Sequence, residues 1–379
     1  MKTARAIKQN ESTGRLVARV LCGAWRRSPE PLDVTEQELE LISPQLLVSG
    51  AAGLVWSRAR LSDLKQSPVA ATLRQAYRFQ ALQSELQAKE TARIFADLRS
   101  AGVEPVLLKG WATARSYAEN GLRPSGDIDL LIQPSQAAAA TEIIKSNPPA
   151  EFNVDLRHRE FDQLDSNAVE ELWSRSTLVE PGVRVLGAED HLAFICLHML
   201  RHGAWRPLWL CDIAAQLESR PADFDWTLCL GGSRQSGWIA RAIELAHRMI
   251  GARVSDTPMA SSATRPPAWL VREVLKQWAN PDPRERMALD YREPFAKSLV
   301  RPSRMAAEVR ARWPNPIQAT IRVGGPLNQL PRLPFQIGDG LVRLTKLVSS
   351  AGGGRRQGRS GTTAPTILSR RGAEPDTES

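Results

Sequence analysis

The stretch Val106-Leu-Leu-Lys-Gly-Trp111, followed after a short helix-sized interval by Arg123-Pro-Ser-Gly-Asp-Ile-Asp-Leu-Leu-Ile132, is the one place where this chain sets charge into apolar, strand-like sequence. Successive strand side chains point to opposite faces, so Asp127 and Asp129 share one face while Ile128, Leu130 and Ile132 continue the core on the other. Two carboxylates are thereby aimed at one spot. Like charges about 4 Å apart repel by roughly 4 kcal/mol at an effective dielectric near 20, so the pair requires water, a basic group or a divalent cation beside it.

Around this centre, a short strand is expected over 103–108, a helix-like piece over 111–119, and a turn from Gly121 to Gly126 leading into a strand over 127–132. Pro134 to Ser146 is Ala-rich and helical. Glu151-Phe-Asn-Val-Asp-Leu-Arg157 then alternates, with Phe152, Val154 and Leu156 on one face and Asn153, Asp155 and Arg157 on the other. A third carboxylate thus joins the polar side. Upstream, Thr35-Glu-Gln-Glu38 is a capping-box pattern, and 69–100 has no internal Pro or Gly. Its apolar positions Phe79, Leu82, Leu86, Ile94, Phe95 and Leu98 recur at helical spacing and predict one packed face.

Downstream, Leu192, Ile195, Cys196 and Met199 recur at three- and four-residue steps, and 209–217 and 239–250 read as further helices. Beyond Arg253 prolines punctuate the chain, leaving short helical pieces over 269–278 and 305–313. Residues 350–379 have almost no apolar content and are expected to be disordered. The fold class is therefore α+β, a small mixed sheet embedded in a mainly helical chain. Its parts are an N-terminal helical region (1–100), a core (101–180), a helical bundle region (181–255), a Pro-punctuated region (256–349) and the tail (350–379).

With 379 residues and 42% hydrophobic composition, the chain is long enough to bury a sizeable core. Cys22, Cys196, Cys211 and Cys229 show no CxxC spacing and sit in apolar settings, which predicts buried free thiols in a reducing cytosol. The sequence shows neither an apolar signal core nor an uninterrupted apolar run of about 18 residues, so a cytoplasmic protein without a membrane span is expected. The formal charge is +9, spread along the chain, and the Arg-rich tail accounts for part of it, leaving about +7 on the rest. That balance suits a polyanionic ligand such as a nucleotide triphosphate as well as it suits DNA or RNA.

Lys-Gly, then Asp-x-Asp on one strand, then a lone Asp on a later strand is the order that two-metal phosphoryl or nucleotidyl transfer needs. Two cations about 3.5 to 4 Å apart activate the attacking oxygen and stabilise the leaving pyrophosphate, and three carboxylates can hold them. Magnesium prefers oxygen ligands and keeps several waters, so few carboxylates suffice. Asp127, Asp129 and Asp155 are the candidate catalytic and metal-holding residues for Mg2+ or Mn2+. Lys109, Gly110 and Arg123 are the candidates to face the triphosphate.

These blocks resemble the uncharacterised nucleotidyltransferase family of bacteria, a branch of the DNA polymerase beta-like nucleotidyltransferase superfamily. VLLKGWA (106–112) is similar to its Lys-Gly entry, LRPSGDIDLLI (122–132) to its approach to an Asp-x-Asp strand, and NVDLRHRE (153–160) to the strand bearing the third acid. LGAEDHLAFICLHMLRHGAWRPLWLCDIAAQL (186–217) resembles the helical stretch that follows, with Glu189, Asp190, His198, His202, Trp209 and Asp212 on matching positions. The resemblance covers roughly 73–251. It implies transfer of a nucleoside monophosphate from an NTP such as ATP, with Mg2+ or Mn2+ and release of pyrophosphate. Two departures stand out. Lys109-Gly110-Trp111 takes the place where the wider superfamily opens with Gly-Ser, and Arg157 stands where the family has His, with His158 one later and so on the other face.

His198 and His202 lie one helical turn apart, but the glutamate of a zinc-binding helix is missing between them. They are expected to pack against Trp205 or Trp209, with acceptor binding as the alternative. Asp212 sits in an apolar run and, if buried, needs His202 or an Arg as partner, which places it behind the site. Two other functions stay in view: a non-catalytic nucleotide or polyanion-binding module on the same scaffold, and an RNA-directed or toxin-antitoxin-like modifier. The acceptor is left open among protein, peptide, sugar phosphate and RNA, as is the oligomeric state.

Overall fold

The computed structural model describes residues 2–149, 151–157, 168–179, 181–260, 265–280 and 313–352. Its helices are α1 (Lys2–Leu21), α2 (Glu36–Ser49), α3 (Ala52–Ala59), α4 (Pro68–Ser100), α5 (Trp111–Ala114), α6 (Ala137–Ser146), α7 (Ala168–Ser174) and α8 (Ala188–Arg201). They continue with α9 (Pro207–Glu218), α10 (Trp226–Leu230), α11 (Ser233–Ile250), α12 (Ala268–Trp278), α13 (Pro316–Arg322) and α14 (Leu333–Gly352). The strands are β1 (Val106–Leu107), β2 (Asp127–Leu131), β3 (Asn153–Arg157), β4 (Thr177–Val179) and β5 (Val183–Val185). Two units divide the chain, Met1–Gly340 and Leu341–Ser379, and the sheet and its surrounding helices belong to the first. His158, most of the helical piece expected at 305–313, and tail residues 353–379 lie outside the described residues. No helix among the described residues is long and apolar enough to cross a membrane.

The five strands form one mixed sheet in the order β3-β2-β1-β5-β4. β2 runs antiparallel to β1 and parallel to β3, with the ten-residue helix α6 making the crossover that a parallel pair requires. The sheet is sided. Leu107, Ile128, Leu130, Phe152 and Val185 pack with Ile94, Phe95 and Leu98 from the end of α4. Val106, Leu108 and Leu131 instead join the larger core built from α8, α9 and α11. Alternation along β2 puts Asp127 and Asp129 on the face of Leu131, so the acids stand where the sheet meets the helical bundle.

α4 begins as its sequence indicates, with the Ser67 hydroxyl accepting from Ala70 N and Pro68 in the first turn. Its expected apolar face, however, is only half right. Ile94, Phe95 and Leu98 are buried, whereas Phe79 and Leu82 are 61% and 59% exposed and Leu86 is exposed too. The inward positions of that stretch are glutamines. Gln80 accepts from Gly53 N at 3.2 Å, and Gln87 donates to Asp127 O at 2.9 Å, so the middle of the helix docks by hydrogen bonds to backbone.

Other expectations are met or trimmed. Thr35 and Glu38 form the full capping box at α2. β1 is reduced to two residues, and the helix expected over 111–119 stops at Ala114 and gives way to turns. All four cysteines are free, but Cys22 is exposed and only Cys196, Cys211 and Cys229 are buried.

Candidate functional site

The parallel register of β2 and β3 sets Asp129 directly beside Asp155, and Asp127 beside Asn153. In-register residues of neighbouring strands point to the same face about 4.8 Å apart, so the three carboxylates gather on one side of the sheet. Lys109 reaches them from the end of β1. Its Nζ lies 2.9 Å from Asp127 Oδ2 and 2.8 Å from Asp129 Oδ2. Arg157, two residues after Asp155, closes on Asp155 Oδ2 and lies 3.7 Å from Asp129 Oδ1. Two basic side chains therefore thread the gaps between three acids.

Exposure differs sharply along this row. The Asp127 side chain is 46% exposed and that of Asp129 only 3%. Burial, together with the charge of Asp127, pushes the Asp129 carboxyl up to about 6 in spite of Lys109. Burial acts on Asp127 too, but there the Lys109 charge and hydrogen bond outweigh it and hold the carboxyl below its ordinary value. Burial would lower the Lys109 ammonium, and the charges of Asp129 and Asp127 instead raise it. Asp129 Oδ2 is buried, and the Lys109 ammonium 2.8 Å away is its partner. The donor set is all oxygen, the chemistry that a hard divalent cation prefers. Among the described residues no three His, Cys, Asp or Glu stand arranged to hold one, and Lys109 and Arg157 occupy the spaces between the candidate donors.

Gly110 has a physical reason to be glycine. Its φ of 68° and ψ of −117° lie where side-chain-bearing residues are strained, and a Cβ would stand 2.9 Å from Ser125 Oγ. Ser125 in turn donates to Asp127 O at 3.1 Å. Gly110→Ala is expected to lower stability by about 1–3 kcal/mol and to shift the loop ahead of β2. Urea unfolding measures the first effect, and an unchanged midpoint would contradict it.

Arg123 is not presented to the carboxylate face as expected. Its side chain is 4% exposed, and one edge of the guanidinium binds Asp212 of α9 in bidentate fashion, Nε to Oδ1 at 3.1 Å and Nη2 to Oδ2 at 2.9 Å. Tyr117 donates to the same Asp212 Oδ1 at 2.7 Å. This buried pair ties the turn ahead of β2 to the bundle, which answers the expectation that Asp212 would find an Arg. The cation that sequence reading missed is Arg206, whose Nε donates to Ser49 O at 2.6 Å and whose guanidinium lies against Gly50. Burial, then the like charge of Arg123, pulls its guanidinium down to about 10, and Asp127 is among the acids that oppose the shift. Its signal was available: Trp205-Arg-Pro-Leu-Trp209 sets one charge in apolar sequence, as the Asp-x-Asp strand does.

The rings of His198 and His202 lie tilted against each other with centroids 4.4 Å apart, and both pack on Trp209, at 5.1 Å and 5.5 Å. Burial, then Lys109 and Arg201, holds His202 down at about 4, and burial, then His202 and Lys109, keeps His198 below its ordinary range. Both imidazoles are neutral near pH 7. A third histidine, His191, is buried with Nε2 3.0 Å from Thr113 Oγ1, joining α5 to α8. Asp190 pairs with Arg175, both contacts at 2.9 Å, and Glu189 accepts from Asp225 N at 3.1 Å, so these acids hold neighbouring segments together.

Residues 38–251 match the model of a protein family described as uncharacterised nucleotidyltransferase. No curated protein and no solved structure matches the chain.

Proposed function

We propose, from the premise that this chain belongs to the uncharacterised nucleotidyltransferase family, that it moves a nucleoside monophosphate from an NTP to an acceptor and releases pyrophosphate. The observation that carries this reading is the convergence of Asp127, Asp129 and Asp155 on one sheet face beside Lys109. Asp127, Asp129 and Asp155 are the residues to hold Mg2+ or Mn2+. A divalent cation bound there supplies Lewis-acid stabilisation of charge on the phosphoryl oxygens.

Lys109 exchanges its carboxylate partners for the triphosphate, where a charge-assisted contact is strongest in a half-closed site. Arg157 makes the same exchange from Asp155. Arg206 adds a fixed positive charge behind the turn that Arg123 anchors to Asp212. In the transfer, the acceptor oxygen bonds to the α-phosphorus as the bond to pyrophosphate breaks, and half-exposed Asp155 takes the acceptor proton. The buried histidines stay uncharged and shape the adjoining wall. Free thiols on all four cysteines fit work in a reducing cytoplasm.

The test incubates purified protein with each α-labelled triphosphate, Mg2+ and fractionated lysate, comparing wild type with Asp127→Asn. Label on one product with the wild type alone identifies donor and acceptor class together. Triphosphate bound equally by both proteins, with no pyrophosphate from either, makes this a nucleotide-binding module and rejects transfer.

A further inference from the structure

We propose that the groove between α11 and the segment Gly324–Asn328 binds a small organic anion with a flat apolar body. The groove has a volume of about 420 Å3, within the range of small-molecule sites. One wall is a single face of α11, where Arg234, Trp238 and Arg241 follow at four- and three-residue steps. The other is Gly324, Pro326, Leu327 and Asn328. Trp238 donates from Nε1 to Gly325 O at 2.9 Å, which fixes the indole as part of the wall. Trp238 and Leu327 are buried and give the floor its apolar character. At Gly237 a Cβ would meet nothing within 4 Å, so the space there is open.

The charges are unequally matched. Arg241 is neutralised by Glu244 at 2.5 Å. Arg234, exposed at the mouth, forms no ion pair among the described residues. Gly324 has a φ of +70°, and a Cβ there would stand 2.7 Å from Arg234 Nη1, so the bare glycine leaves room for the guanidinium at the groove. An unmatched guanidinium over an aromatic and aliphatic floor selects a carboxylate, sulfonate or phosphate head on an apolar ring. None of the lining residues belongs to the carboxylate site, and Gly324–Asn328 lies outside the family-matched segment. The groove thus shares no residue with the carboxylate site, and one of its walls lies beyond the family-matched segment.

The experiment titrates the full chain with 8-anilinonaphthalene-1-sulfonate and with its uncharged counterpart N-phenyl-1-naphthylamine, following fluorescence. Saturable binding of the sulfonate is expected, about tenfold tighter than the neutral probe. Arg234→Gln should erase that preference. Gly237→Leu, which fills the open space, should abolish binding of both probes with an unchanged circular dichroism spectrum. Absence of saturable binding, equal affinity for the two probes in the wild type, or sulfonate affinity unaltered in both variants overturns the proposal.

Discussion

Asp212→Ala is expected to cost about 3–5 kcal/mol of folding stability, read as a fall in the urea midpoint. Asp212 is 2% exposed on its side chain, and its two oxygens take the Nε and Nη2 donors of the Arg123 guanidinium and the Tyr117 hydroxyl. Removing the carboxylate leaves a full positive charge and a phenol hydroxyl buried without their acceptor, and that desolvation, more than the lost attraction, sets the size of the effect. The damage is also directional, because Arg123 opens the turn that delivers Asp127. Replacing the pair together, Arg123→Met with Asp212→Leu, removes the stranded charge and should recover most of the loss. A single-variant loss under about 1 kcal/mol, or a double variant no better than Asp212→Ala, would show that the pair does not anchor this turn.

How much of this was legible follows from the distance over which each interaction acts. The capping box at Thr35 and Glu38 is local, three residues apart, and its pattern specifies its geometry. The alternation in β2 and β3 fixes which face Asp127, Asp129 and Asp155 share, and the parallel register then sets 129 against 155. The pairing of Arg123 with Asp212 was not legible because its partner is 89 residues away, and nothing within Arg-Pro-Ser-Gly-Asp distinguishes a guanidinium turned to the bundle from one turned to a ligand. The middle of α4 was misread for another reason. Periodicity identifies a face of a helix, not what covers it, and Gln80 and Gln87 dock inward through backbone groups that apolar spacing does not reveal. Lys109 and Arg157 threading between the acids is likewise a three-dimensional fact: one comes from the end of β1, the other from the edge strand β3.

Asp129→Asn is expected to reduce nucleotide transfer by about a thousandfold or more while leaving the fold at least as stable as the wild type near pH 7. The two halves have one cause. Asp129 is almost fully buried, and burial with the charge of Asp127 raises its carboxyl to about 6 even with Lys109 alongside. An unfolded Asp titrates near about 3.9, so the folded protein binds this proton more tightly than the unfolded chain does. Stability is therefore lost as pH rises from about 4 through about 6, and the penalty of the ionised form is complete above that. Asn carries no charge at any of these pH values and escapes the penalty. The stability advantage of the variant should be absent near about pH 4, grow across the window and level off at roughly 1–3 kcal/mol. Denaturation midpoints at several pH values measure it, and Mn2+ titration of wild type and variant tests the proposed metal-holding role. A variant that is less stable than wild type near pH 7 and still transfers nucleotide would mean that Asp129 is kept for the fold. Loss of transfer with a gain in stability is the signature of a charge held in an unfavourable place for chemistry, because only function then opposes its replacement.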